Sequence, residues 1–148
     1  MKKIYLDVCC LCRPFDDQRQ DRIRLEAEAI ERIVERLHMR EWEWIGSEVI
    51  RLEISKASDP ERRRRVALLS SSMHRTVAVG EAEEARARHL NALGFSSLDA
   101  LHLACAESGS ADVFLTTDDD ILRLASRHRS RLKVRVENPL AWLQKGSD

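Results

Sequence analysis

Four carboxylates stand where a purely solvated acid is seldom found: Asp7, Glu53, Asp99 and Asp118. Asp7 closes the apolar run Ile4-Tyr5-Leu6, and Asp118 follows Val113-Phe114-Leu115 after Thr116 and Thr117, so both read as strand ends. Glu53 shares a helical face with Val49 and Ile50, and Asp99 lies in the small, nearly apolar stretch from Leu98 to Ala106, so both read as half-buried. A buried carboxylate without a partner is costly, and several gathered by a fold require a metal, another cation or shared protons. A divalent metal site is the economical solution.

The elements that would carry these acids follow from local pattern. Lys3–Asp7 reads as a first strand, and the cysteines after it as the turn leaving it. The segment from Arg13 to Asp17 separates that strand from a long helix with Ile23, Ala27, Ile30, Val34 and Leu37 on one face. Trp42–Gly46 fits a second strand, and Ser47 a cap for the helix bearing Glu53. Asp59-Pro60 opens a helix with Val66, Leu69 and Met73 on its apolar side. Thr76–Val79 is a third strand candidate, followed by a helix over Glu81–Leu93 that Gly94 ends. Ser96 or Ser97 starts the helix of Asp99 and Gly109 stops it. Asp112–Thr116 reads as a fourth strand, Asp119–His128 as a helix, Lys133–Val136 as a last strand and Pro139 as the opening of a terminal helix. Strands alternating with helices imply a three-layer α/β/α sandwich around a mostly parallel sheet. Sites in such sheets form beyond the carboxyl ends of the strands, where Asp7 and Asp118 emerge.

The 148 residues suit a single domain spanning 1–148. With 25 basic and 25 acidic residues the net charge is zero, so bulk electrostatics give no case for nucleic acid and leave only a local basic lane. No apolar stretch reaches the roughly 18 residues of a membrane span. Cys9, Cys10 and Cys12 are crowded and Cys105 is remote, which suits no disulfide framework and points to a reducing cytoplasm. Zinc at the cysteine cluster would need a further ligand such as Cys105 or a histidine. The competing reading makes these cysteines small buried hydrophobes.

In order along the chain, Ile4-Tyr5-Leu6-Asp7, Ser47-Glu48-Val49-Ile50-Arg51-Leu52-Glu53, Leu98-Asp99-Ala100-Leu101-His102-Leu103-Ala104 and Phe114-Leu115-Thr116-Thr117-Asp118 resemble the motifs of PIN domains. That family of metal-dependent nucleases includes the VapC-type ribonuclease toxins of toxin–antitoxin pairs. Asn138-Pro139-Leu140-Ala141-Trp142-Leu143 also resembles the close of many such chains. The resemblance implies an acidic pocket for Mg²⁺ or Mn²⁺ formed by Asp7, Glu53, Asp99 and Asp118, with the Thr116 hydroxyl in support. It implies an RNA substrate, a cognate antitoxin and a homodimer. Asp118 is preferred over Asp119 and Asp120 for its spacing from Thr116. One departure stands out: Val8 occupies the place where the family has Thr or Ser, so a supporting hydroxyl is lost. The chemistry is coherent, since phosphodiester hydrolysis needs an activated water and an offset for the charge building on phosphate, and divalent ions supply both. Asp7 and Asp99 are the expected principal ligands.

Each residue also has a plainer role. Asp7 suits a turn, Glu53 a salt bridge to Lys56 or an arginine, Asp99 a capping box with Ser96, and Asp118 an N-cap that leaves one oxygen for metal. His102 suits a packed or hydrogen-bonded helix position better than a general base. Trp42, Trp44 and Trp142 are assigned to packing, and Arg62–Arg65 to a solvated helix surface. Arg13, Arg19, Arg22 and Lys56 are candidate phosphate contacts. The alternative function is a catalytically weak RNA-binding or assembly module on the same fold. A phosphotransfer domain fits poorly, because Cys9 stands where a second aspartate would be needed.

Overall fold

The computed structural model describes residues 1–146. Its strands are β1 (Lys3–Leu6), β2 (Glu43–Ser47), β3 (Arg75–Val77), β4 (Val113–Leu115) and β5 (Arg135–Glu137). They form one parallel sheet in the order β3-β2-β1-β4-β5. The helices are α1 (Val8–Cys12), α2 (Asp21–His38), α3 (Glu48–Ser55), α4 (Pro60–Ser70), α5 (Glu81–Ala92), α6 (Ser97–Ser108), α7 (Asp119–Arg127) and α8 (Pro139–Gln144). Helical crossovers cover the sheet, which is why β1 and β4 are apolar without interruption and buried throughout apart from Lys3. None of these helices is long and apolar enough to cross a membrane.

The chain winds outward from β1 through β2 to β3, then crosses back to place β4 on the other flank of β1. That reversal opens a crevice at the carboxyl ends of β1 and β4, the usual ligand position in open α/β sheets. The register pairs Tyr5 with Phe114 and Leu6 with Leu115, so Asp7 and Thr116 leave the sheet side by side. The Asp7 amide donates to the Leu115 carbonyl at 3.0 Å, fixing that start.

Several boundaries differ from the pattern reading. The first strand stops at Leu6, because Asp7 turns to cap α1, accepting from the Val8 amide at 2.9 Å. The predicted cysteine turn is therefore a helix, continued by a 3-10 turn over Arg13–Phe15. Ser47 is both the last residue of β2 and the cap of α3. The third, fourth and fifth strands run over 75–77, 113–115 and 135–137 instead of the predicted spans. The helix opened by Pro60 ends at Ser70, where the Ser70 and Ser71 hydroxyls bond back to the Ala67 and Leu68 carbonyls. Met73 therefore lies beyond the helix and packs its sulfur over Gly46, where a Cβ would have no room. All three tryptophans are buried, with Trp42 against Trp142 at 5.1 Å between rings.

Candidate active site

Asp7 is the deepest of the four acids, 5% exposed at the end of the central strand. Its Oδ1 accepts from the Val8 amide, and its Oδ2 accepts from the Thr116 hydroxyl at 2.9 Å and the Cys9 thiol at 3.3 Å. Thr116 and Cys9 thus supply the polar support that Val8 does not. Burial first, and then the adjacent Cys9 sulfur, hold the Asp7 carboxyl well above the usual carboxylate range, against the pull of His102 and Thr116. Hydrogen bonds from Cys10, Thr116 and Thr117 bring Cys9 down to about 6 despite its burial.

Glu53 arrives from α3 and is half-buried. Its partner is neither Lys56 nor an arginine but His102, whose Nε2 lies 2.7 Å from Oε1. His102, buried on α6, also meets the Tyr5 hydroxyl through Nδ1 at 2.7 Å. Asp7, Glu53 and His102 offer ligand atoms within 4.8 Å of one another.

Asp99 and Asp118 stand outside this tight trio and flank it. Asp99 is half-buried in the first turn of α6, which is capped by the Ser96 hydroxyl accepting from the Asp99 amide at 3.1 Å. Burial raises its carboxyl first, Ser96 opposes this, and the negative charges of Asp118 and Glu53 raise it further. Asp118 is exposed and caps α7, its Oδ1 accepting from the Asp120 and Ile121 amides, which among the described residues leaves the other oxygen free of hydrogen bonds. Among the described residues no lysine or arginine is ion-paired to Asp7, Asp99 or Asp118. Crowded carboxylates with raised proton affinity and no cationic partner form a donor set that fits a divalent cation.

The arginines proposed as phosphate contacts are otherwise engaged. Arg13 and Arg22 clamp Glu26, which is 2% exposed, at 3.0 and 3.2 Å, and Asn138 adds a hydrogen bond at 2.7 Å. Arg22 also grips both oxygens of Asp119 and the Thr117 carbonyl, so it ties α2 to the segment carrying Asp118. Arg19 pairs with Asp17. Within the Arg62–Arg65 run, Arg62 bonds Asp16, Arg63 the Ala57 carbonyl, and Arg64 and Arg65 reach Glu61. Glu26 escaped the pattern reading, although a charged residue one place from Ala27 on the apolar side of α2 is the signal that marks it.

The PIN domain family model matches residues 4–127. Solved structures with the same fold include VapBC2 from Rickettsia felis bound to a DNA fragment from its promoter, at TM-score 0.62 and 12% identity, covering 92% of this chain and 98% of that one. FitAcB from Neisseria gonorrhoeae follows at TM-score 0.58 and 17% identity, covering 92% and 97%. VapBC-1 from nontypeable Haemophilus influenzae gives 0.60 and 15%, covering 93% and 98%. No curated protein sequence matches significantly. The match spans all four acidic motifs and the strands β2, β3 and β4 with nearly all of β1: this chain belongs to the PIN domain family.

Proposed function

We propose that this PIN domain is a Mg²⁺- or Mn²⁺-dependent endoribonuclease and the toxin of a toxin–antitoxin pair, acting in the cytoplasm as a homodimer. The observation that carries the nuclease reading is the grouping of Asp7, Glu53 and His102 at the switch point of the sheet, with Asp99 close enough to Asp118 and Glu53 to feel their charges and, among the described residues, no lysine or arginine paired to Asp7, Asp99 or Asp118. Such a pocket would repel an RNA phosphate. Two unit charges about 5 Å apart repel by roughly 3 kcal/mol at an effective dielectric of about 20, so substrate approach requires a bound cation.

Asp7 and Asp99 would be the principal holders of the ion, with Glu53 and Asp118 completing the pocket directly or through water. The ion would supply an activated water and an offset for charge on the phosphate. The protein's own part is to hold these carboxylates ready. Thr116 and Cys9 orient Asp7, and the cap of α7 leaves Asp118 one oxygen to offer. The VapBC relatives support a cognate antitoxin as the partner.

Cleavage of structured and single-stranded RNAs with Mn²⁺, Mg²⁺ or EDTA tests the reading, with Asp7→Asn and Asp99→Asn as controls. Metal-dependent cutting lost in both variants is expected. Absent or variant-independent cutting refutes it.

A further inference from the structure

A buried hydrogen-bonded chain crosses four elements to reach Glu53. Ser47 Oγ meets the Tyr5 hydroxyl at 2.7 Å, the same hydroxyl meets His102 Nδ1 at 2.7 Å, and His102 Nε2 meets Glu53 Oε1 at 2.7 Å. Ser47, Tyr5 and His102 are each at most 1% exposed, so no water competes for the contacts among them. The Ser47 oxygen also takes the Ile50 amide at 3.3 Å as the cap of α3. Both ring nitrogens of His102 are thus held, Nδ1 by Tyr5 and Nε2 by Glu53.

We propose that Tyr5 and Ser47 fix the ring of His102 and that His102 is the positioning residue that aims Glu53 into the acidic pocket. A ring nitrogen of His102 lies close enough to Asp7 and Glu53 to count as a metal donor, but both nitrogens are engaged, Nδ1 by Tyr5 and Nε2 by Glu53, so the ring supports the carboxylate instead of replacing it. Because Ser47 caps the helix that carries Glu53, the chain also closes on itself and fixes α3 against β1 and α6. A hydrogen bond to a metal-binding carboxylate restrains its orientation, and losing such a partner typically weakens metal binding about 10–100-fold. The inference rests on the proposed role of Glu53 as a metal ligand.

The test measures Mn²⁺ affinity along the chain by calorimetry. Tyr5→Phe and Ser47→Ala should weaken binding about tenfold. His102→Gln, which keeps an N–H donor, should bind Mn²⁺ better than His102→Leu, a rescue that a merely structural role would not give. Native Mn²⁺ affinity in folded Tyr5→Phe or His102→Leu, when Glu53→Gln has lost it, overturns the proposal. If Glu53→Gln itself binds Mn²⁺ as the native protein does, the metal reading of Glu53 fails, and the positioning role fails with it.

Discussion

Replacing Asp7 by asparagine should stabilise the metal-free protein while removing its activity. Asp7 lies within 4.8 Å of the Glu53 carboxylate and is nearly fully buried. At that spacing and an effective dielectric of about 20, the mutual repulsion is roughly 3 kcal/mol, part of which His102 and Thr116 offset. Asparagine keeps the cap, since its carbonyl can accept from the Val8 amide, and its amide can donate to Thr116 in place of the reversed bond. A gain of about 1–3 kcal/mol is expected, which for a chain of this length raises Tm by roughly 3–10 °C. The sign with pH is fixed by the raised folded-state pKa of Asp7. Stability owed to its protonation is present below the ordinary carboxylate range and is lost as pH rises through the raised value. The advantage of Asp7→Asn should therefore vanish in acid and grow as pH rises through the raised value. Calorimetric melting in EDTA measures it. Saturating Mn²⁺ should then reverse the order, because ligand at 100 times its Kd adds about 2.7 kcal/mol to the native protein alone. A less stable Asp7→Asn in EDTA at pH 7.5, or equal Mn²⁺ shifts for both proteins, would refute the reasoning.

Two further outcomes follow from the surroundings of the acids. Glu26→Gln leaves the Arg13 and Arg22 guanidinium groups around a neutral amide, and breaking a buried pair in this way should lower urea-denaturation stability by about 3–5 kcal/mol. Cys9→Ser should keep RNA cleavage near the native rate by donating to Asp7, whereas Cys9→Ala should slow it about tenfold; equal rates would show that Thr116 alone orients the carboxylate.

The alternation of apolar runs with helical periodicity is enough to place the five strands and seven of the eight α-helices along the chain, because burial on both faces leaves β1 beyond Lys3, and β4, no polar positions. The short α1 was illegible. Its five residues include three cysteines with little helical preference, and it forms because Asp7 caps it and Val8, Cys10 and Leu11 are buried. The partner of Glu53 was equally hidden, since His102 lies 49 positions away and meets it only when α3 and α6 pack together. The same is true of the compensation for Val8. The hydroxyl that supports Asp7 comes from Thr116, 109 positions along the chain, and the sulfur from Cys9, which local pattern assigns to packing or zinc. Motif spacing locates the acids, but what orients them depends on contacts between elements.

The placement of three of those acids has a common electrostatic origin. Asp7 caps α1, Asp118 caps α7, and Asp99 occupies the first turn of α6, so three helix N-termini converge at the carboxyl edge of the sheet. Each N-terminus carries partial positive charge and stabilises a nearby carboxylate by typically 0.3–1 kcal/mol. That is smaller than the roughly 3 kcal/mol of repulsion between two acids about 5 Å apart at an effective dielectric of about 20. The helices therefore make it tolerable to gather the acids but do not neutralise them, and burial, the main cause of the raised proton affinities of Asp7 and Asp99, sharpens that imbalance. A lysine among them would remove the imbalance and with it the affinity for a cation. The fold instead leaves the charge uncompensated at the edge where the strand order reverses, where the proposed divalent ion would complete it.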